Sequence, residues 1–475
     1  MSAATLALNP RTRLLLEAPI APTLLGLALP NVLVMLAQAG VGLIETYFVG
    51  QLGTDALAGM ALVFPVVMLM QMTSAGAMGG GIASAIARAL GGQRRQDADA
   101  LVLHALVIAA VFSLMFSIAV VGGGRWLYSR MGGTGAALES ALIYSNWVFA
   151  GAFLVWLFNT LSAVIRGTGN MAIPAYVTVV GALLLLPLSP MLIFGWGPLP
   201  RLGIAGGALA LMTYYLIGSV VLAAYLWSPR SLLRPSLAHI RFRWLLFWDI
   251  LRVGLVGTVS TVATNLAIGV TTGLVGGFGT AAIAGYGTAS RLEYLLVPLV
   301  FGLGAPLLAM VGTCIGAGQR ERALQATWIG AAMAFTLTEA IGLWAAFFPH
   351  TWLSFFNNDP AMLAAGATYL RAVGPVYGFF GLGLVLYFAS QGAGRLLWPV
   401  LGNLLRLLVA VAGGWIALHW GGTLVEVFIA QGVALVLYGV VNAWAIAGGA
   451  WFGPVGWPRS IATLSQRIQA SAGKA

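Results

Sequence analysis

The sequence predicts an all-α integral membrane protein, with about twelve transmembrane helices in two six-helix bundles related by a pseudo-twofold axis along the membrane normal. Three observations carry that expectation. Of 475 residues, 60% are hydrophobic and only 7% are charged, against roughly 25% charged residues in ordinary soluble domains. Apolar runs of about twenty residues recur along the chain, each long enough to cross the ~30 Å hydrocarbon core as a helix. A helix satisfies its own backbone hydrogen bonds, which lipid cannot do. Finally, short motifs of the first half return in the second at an almost constant offset.

Breaks at Gly, Pro and charged clusters place the spans at roughly 20–48, 56–84, 98–122, 138–162, 171–195, 203–227, 246–276, 281–312, 323–348, 360–388, 398–419 and 426–451. The first run contains Pro22, Pro30, Asn31 and Gln38 and is followed by no small-residue cleavage site, so it is expected to stay in the protein rather than act as a removed signal peptide. The tenth has a clear start, because Asp359 can cap free N–H groups and Pro360 suits the first helical position. An even number of spans puts both termini on one side. One set of loops and tails carries Arg11, Arg13, Arg88, Arg94, Arg95, Arg166, Arg230, Arg234, Arg241, Arg243, Arg320, Arg322, Arg395, Arg459, Arg467 and Lys474, whereas the other carries Arg125, Arg130 and Arg201. The positive-inside rule makes the first set, and both termini, cytoplasmic, in the inner membrane. Arg252, Arg291, Arg371 and Arg406 fall within or at the ends of helices and carry no vote. The organisation expected is a lobe over residues 1–227, a basic cytoplasmic linker over 228–245, and a second lobe with a short tail over 246–475. Contact with anionic lipid and an orientation signal account for the linker arginines.

A net charge of +11 would suggest nucleic acid in a soluble chain, but here it follows membrane topology, and no nucleic-acid partner is expected. Cys314 is the only cysteine, and His104, His239, His350 and His419 are scattered singly, so neither a disulfide within the chain nor a zinc site is expected. No cofactor is implied.

The halves repeat. Val49-Gly50-Gln51-Leu52-Gly53-Thr54 returns as Val275-Gly276-Gly277-Phe278-Gly279-Thr280, 226 positions later (275 − 49). Gly92-Gln93-Arg94 returns as Gly318-Gln319-Arg320 at the same offset, and Gly167-x-Gly169 with Pro174 as Gly392-x-Gly394 with Pro399 at 225 (392 − 167). Halves with even numbers of spans share one orientation. Such pairs commonly hold substrate between or within lobes and rock between two openings.

Polar groups inside spans are costly, and each survivor is a candidate for function. Glu45, Glu293 and Glu339 are the carboxylates placed well inside helices, whereas Asp55, Asp97, Asp99, Glu321 and Asp359 fall in loops and read as solvated. Asn31, Gln38 and Glu45 recur every seven residues and share one helical stripe, with Gly42 beside it leaving room for a ligand or water. Alternatively, Glu45 reaches for solvent at the outer interface. Glu293 has Arg291 two residues before it, about 200° away around the helix, so a buried pair with another partner competes with a coupling role. Glu339 has no polar stripe. Thr258, Thr261, Asn265 and Thr272 give the seventh helix a polar face that lines a cavity or bonds to its own backbone. Asn159 is a further cavity candidate, Met68 and Met72 offer an adaptable apolar surface or plain core filling, and Tyr47 and Trp156 offer rings for a cation or belong to an interfacial belt.

Several segments resemble the multidrug and toxic compound extrusion (MATE) family. They are Glu45-Thr46-Tyr47-Phe48-Val49-Gly50-Gln51-Leu52-Gly53 with Ala56-Leu57-Ala58-Gly59, Ile165-Arg166-Gly167-Thr168-Gly169-Asn170, Gly316-Ala317-Gly318-Gln319-Arg320-Glu321-Arg322-Ala323 and Gln391-Gly392-Ala393-Gly394-Arg395. The resemblance implies a two-lobed, V-shaped exporter that exchanges organic cations or related drugs for inward H⁺ or Na⁺, with an acidic residue, usually Asp, at the position of Glu45. Other family positions are lost. Before Pro190-Met191-Leu192-Ile193-Phe194-Gly195, the Asn and Asp common in proton-coupled members are Leu185 and Ser189. Thr261-Val262-Ala263-Thr264-Asn265 and Gly381-Leu382-Gly383-Leu384 lack the carboxylates of the sodium-coupled branch.

The sequence therefore reads as a secondary antiporter, not an enzyme, exporting amphipathic cationic compounds against inward H⁺ at Glu45 and working as a monomer in lipid. The rivals are Na⁺ coupling and a flippase for a lipid-linked or peptidoglycan precursor. The phosphates of a precursor call for an arginine-lined cavity, and intramembrane arginines are few.

Overall fold

A computed structural model describes residues 9–196, 200–235, 242–356 and 358–452. It is helical, with no strand among the described residues. A short α1 (Pro10–Glu17) leads into α2 (Ile20–Gly50), α3 (Thr54–Gln71), a π-helical segment Met72–Met78, α4 (Gly79–Gly91), α5 (Arg95–Arg130), α6 (Gly135–Ala150), α7 (Ala152–Gly167), α8 (Ala172–Phe194) and α9 (Ile204–Leu226). Then come α10 (Trp244–Gly276), α11 (Thr280–Gly316), α12 (Arg320–Phe347), a short α13 (Pro349–Leu353), α14 (Pro360–Val373), a 3-10 turn Gly374–Val376, α15 (Tyr377–Ala393), α16 (Leu397–His419) and α17 (Leu424–Ala447). Among the described residues, eleven stretches are long and apolar enough to cross a membrane, or twelve with the bent pair α6 and α7 counted as one span. Each span read from hydropathy has its helix. Asp359 caps α14 as expected, its Oδ2 accepting the N–H of Met362 at 2.8 Å.

The chain falls into two compact units, Met1–Thr258 with Ala309–Ala323, and Val259–Leu308 with Leu324–Ala475. In the first, α2 packs on α8, α3 on α6, and α4, α5 and α9 surround α7. In the second, α17 packs on α14, α15 and α16.

The sequence of α2 explains which way it faces. Asn31 and Glu45 are buried at 1% and 4% exposure, while Leu29, Leu36 and Leu43, also spaced by seven, are open on another face, Leu43 at 72%. A helix in lipid shows apolar side chains outward and turns its polar stripe toward protein.

The repeat is visible in the backbone, with one correction. Gly53 and Gly279, 226 apart, both have positive φ, at 118° and 100°. At the second motif the offset is 225, not the 226 of the matching letters. The left-handed residue is Gln93 in the first half and Gly318 in the second, and Arg94 N donates to Ala89 O as Gln319 N donates to Cys314 O. The first half therefore holds one more residue between these landmarks. The π-helical segment Met72–Met78 lies in that stretch, whereas α11 runs through without one. A π turn is how a helix absorbs an inserted residue.

The carboxylates assigned to solvated loops need a second correction. Asp97 lies in the first turn of α5 and Asp99 just beyond it, and both hold the basic linker: Asp97 pairs with Arg243 and, at 3.2 Å, with Arg94, while Asp99 Oδ1 accepts the N–H of Arg234 at 2.7 Å. Carboxylates at a helix N-terminus are favourably placed by the helix dipole, and the arginine-rich segment brings its donors to them. Arg241, His239 and the tail arginines lie outside the described residues.

Candidate functional site

The fourth span of each half is broken in the middle. In the first half α6 and α7 meet at Gly151 with a bend of 48°. In the second, α14 gives way to the 3-10 turn at Gly374 and Pro375 before α15. Tyr144 on α6 and Tyr369 on α14, 225 positions apart, both precede the break, and each donates its hydroxyl to a glutamate, buried in the first half and partly buried in the second.

In the first unit the acceptor is Glu45, whose Oε1 takes the Tyr144 hydroxyl at 2.5 Å. Among the described residues no basic side chain pairs with this carboxyl. Gly207 on α9 passes close by, where a Cβ would lie 3.8 Å from Glu45 Oε1. Asn31, one of the other two members of the predicted stripe, is buried with Glu45, and Gln38 is partly buried. A second polar chain, all within this unit, runs from the π-helical segment. Asn159 on α7 donates to Gln71 Oε1 at 3.1 Å and to Ser74 Oγ at 2.8 Å, and Gln71 donates in turn to the Tyr215 hydroxyl on α9. Asn159 was legible as a candidate; Gln71, Ser74, Tyr144 and Tyr215 were not. Tyr144 carried a signal that went unread, its match to Tyr369 in the repeat. Leu185 and Ser189, at the family's polar positions, are buried.

In the second unit the tyrosine finds its carboxylate on a different helix. The residue that repeats Glu45 is Thr271, buried and accepting from Gln431 Nε2 at 2.7 Å, a neutral pair. Tyr369 donates instead to Glu293 Oε2 on α11 at 3.0 Å, and Arg406 on α16 pairs with Glu293 Oε1 at 3.1 Å. Arg291 turns away and lies over the ring of Phe356. Glu339 accepts the N–H of Gly378 at 2.7 Å and so caps the start of α15 beyond the break.

The remaining candidates disperse. Thr258, Asn265 and Thr272 bond to carbonyls one turn back on α10, so that polar face largely serves its own backbone. Thr261, one of whose carbonyl's partners is Asn265, is partly buried. Tyr47 is exposed on α2. Met68 is partly buried and Met72 is exposed where the π-helical segment begins. Trp156 cannot stack on a substrate, because it is fully buried and already stacked on Phe112. Among the described residues, no group of three His, Cys, Asp or Glu side chains could hold a metal.

Repeated sets of membrane-spanning helices with polar groups buried within the spans are the build of a polytopic transporter. The chain belongs to the MatE family, whose profile matches twice, over residues 30–191 and 257–416, once in each half. The family is one of multidrug and toxic compound transporters, which take small organic substrates. Among its relatives is a protein of Shewanella oneidensis named as an FAD transporter, 29% identical over 83% of this chain and 87% of its own length. A probable multidrug resistance protein NorM of Deinococcus radiodurans is 29% identical over 90% of this chain and 92% of its own. The fold is that of a Pyrococcus furiosus transporter of the MOP superfamily, described as having a binding pocket of reverse polarity, with a TM-score of 0.85 at 23% identity over 94% of this chain and 99% of that one. A MATE protein in its bent conformation matches with a TM-score of 0.85 at 24% identity over 91% of this chain and 96% of that one.

Proposed function

We propose that this transporter exports amphipathic, mainly cationic organic compounds across the cytoplasmic membrane in exchange for inward protons, with Glu45 as the exchanging group. The observation that carries the proposal is a buried carboxyl on a membrane span, held by one neutral donor, Tyr144, and by no ionic partner among the described residues. Such a group is unstable as a lone charge in a low dielectric, so it needs either a proton or a cationic ligand. Competition between the two couples them: a substrate cation binds when the proton leaves, and the returning proton expels the substrate. Sodium fits less well, because it needs several oxygen ligands with carboxylate charge around it, and Glu45 stands with one phenol. The cycle needs only one copy of the chain, and arginine-rich loops support cytoplasmic termini.

The test is resistance to cationic dyes and drugs in an exporter-deficient host, at varied external pH and sodium. Resistance that weakens as the pH gradient is removed and ignores sodium is expected. Resistance that follows sodium at constant pH would overturn the coupling. The name of the S. oneidensis relative makes FAD the comparison compound to include in the same assay.

A further inference from the structure

The second unit contains a built charge site that the proposed cycle leaves unused. Glu293 lies well inside α11 and Arg406 near the middle of α16, where charged side chains are costly and mark function more often than packing. Both oxygens of Glu293 are engaged, Oε1 by Arg406 at 3.1 Å and Oε2 by the Tyr369 hydroxyl at 3.0 Å. The guanidinium is not saturated. It gives one nitrogen to Glu293, its centre stands 5.5 Å from the Phe380 ring and 5.9 Å from the Tyr438 ring, and no other acceptor among the described residues meets its remaining N–H groups. The two side chains keep 12% and 19% of their surface open.

We propose that Arg406 binds the anionic group, a carboxylate or a phosphate, of substrates carried by this transporter, with Glu293 as its counter-ion while the site is empty. The proposal rests on the transport reading above and adds a substrate class to it. A guanidinium is a planar fork of five donors that matches a carboxylate or phosphate two bonds at a time. Here the aromatic rings hold the fork, and its single contact with Glu293 leaves the rest free to receive a ligand. An arginine kept only for packing would do better with a bidentate partner, since a buried pair must recover its desolvation through geometry. Two anions on one guanidinium leave a net negative charge, so the best ligand also carries a cationic nitrogen to set against Glu293. That describes zwitterionic aromatic compounds, for which the surrounding rings supply stacking surface.

The experiment measures equilibrium binding to purified protein in nanodiscs, without any gradient. The probes are rhodamine B, which has a free carboxylate, against rhodamine 6G, an esterified relative, and FMN, which has a phosphate, against riboflavin. The double variant R406Q/E293Q strands neither charge, and Arg406→Lys keeps the charge while losing the fork. Both are expected to weaken rhodamine B or FMN by roughly tenfold or more, the worth of one charge-assisted pair, with the esterified or unphosphorylated partner changed less than about twofold. Loss with rhodamine B alone assigns a carboxylate, and loss with FMN a phosphate. Equal losses within each probe pair, no loss, or no binding of rhodamine B and FMN to the wild-type protein would overturn the proposal. Arg406-dependent binding in a protein that exports none of the compounds tested would overturn the export reading and leave this one standing.

Discussion

At Glu45, the side chain and its one partner decide what a substitution means. Glutamine keeps a carbonyl oxygen where Tyr144 donates, so Glu45→Gln preserves the contact and removes only the titrating proton. We expect this variant to insert and melt like the wild type and to export nothing. Wild-type resistance at matched expression would sink the assignment. Glu45→Asp keeps the proton but withdraws the carboxyl by one methylene from Tyr144, and should export partially. The stripe of Asn31, Gln38 and Glu45 was legible because a seven-residue spacing is a pattern that one helix carries by itself, but it left open whether Glu45 turns inward or reaches for solvent. Tyr144, Tyr215 and Arg406 were not legible as partners, because each comes from another helix and no spacing within one segment reports a contact across a bundle. The repeat offset was the one sequence signal that linked Tyr144 to Tyr369.

In the helices, the same repeated glycines do two different jobs. Gly167 lets α7 lie directly on α4, where an added Cβ would sit 2.7 Å from the Ala83 carbonyl oxygen, and Gly392 lies against the Leu308 carbonyl in the same way 225 positions later. Gly169 and Gly394, two residues on, instead supply the left-handed turn, with φ of 81° and 72°. Gly392→Ala should therefore cost about 1–3 kcal/mol through overpacking against backbone that cannot yield, and Gly394→Asn less, since Asn tolerates that region. Thermal unfolding in detergent checks the order, and a larger drop for Gly394→Asn would contradict it. Glu339→Gln should lower stability by about 1 kcal/mol while leaving export intact, because it weakens a charged cap on α15; loss of export with an unchanged melting temperature would move Glu339 into the transport machinery. Spans were legible because twenty apolar residues in water have no alternative. The π-helical segment and the breaks at Gly151 and Gly374–Val376 were not, since they alter hydrogen-bond registry without altering hydropathy.

For the whole molecule, the two halves share backbone landmarks but differ in charge, and the difference sets the energetics of transport. Among the described residues the first unit holds a carboxyl without a counter-ion, while the second compensates Glu293 with Arg406 and has neutral Thr271, paired with Gln431, at the position that repeats Glu45. The proposed cycle then exchanges one proton, and pH-dependent changes in cysteine accessibility should concentrate in the first unit. Exchange of one proton for a monovalent cation moves no net charge. Only the pH gradient then drives export, at about 1.4 kcal/mol per unit, or about a tenfold concentration ratio. A zwitterion leaving for the same proton carries one positive charge inward, and an inside-negative potential adds ~2.3 kcal/mol per 100 mV. In proteoliposomes with the pH gradient and a potassium diffusion potential set separately, export of rhodamine 6G should respond to pH alone. Export of a carboxylate-bearing zwitterion such as rhodamine B should also accelerate when the interior is made negative. Acceleration of rhodamine 6G by the potential would require a second proton, for which Glu293 and Glu339 are the carboxylates to test; transport of either driven by sodium at equal pH, without response to a pH gradient, would refute proton exchange itself.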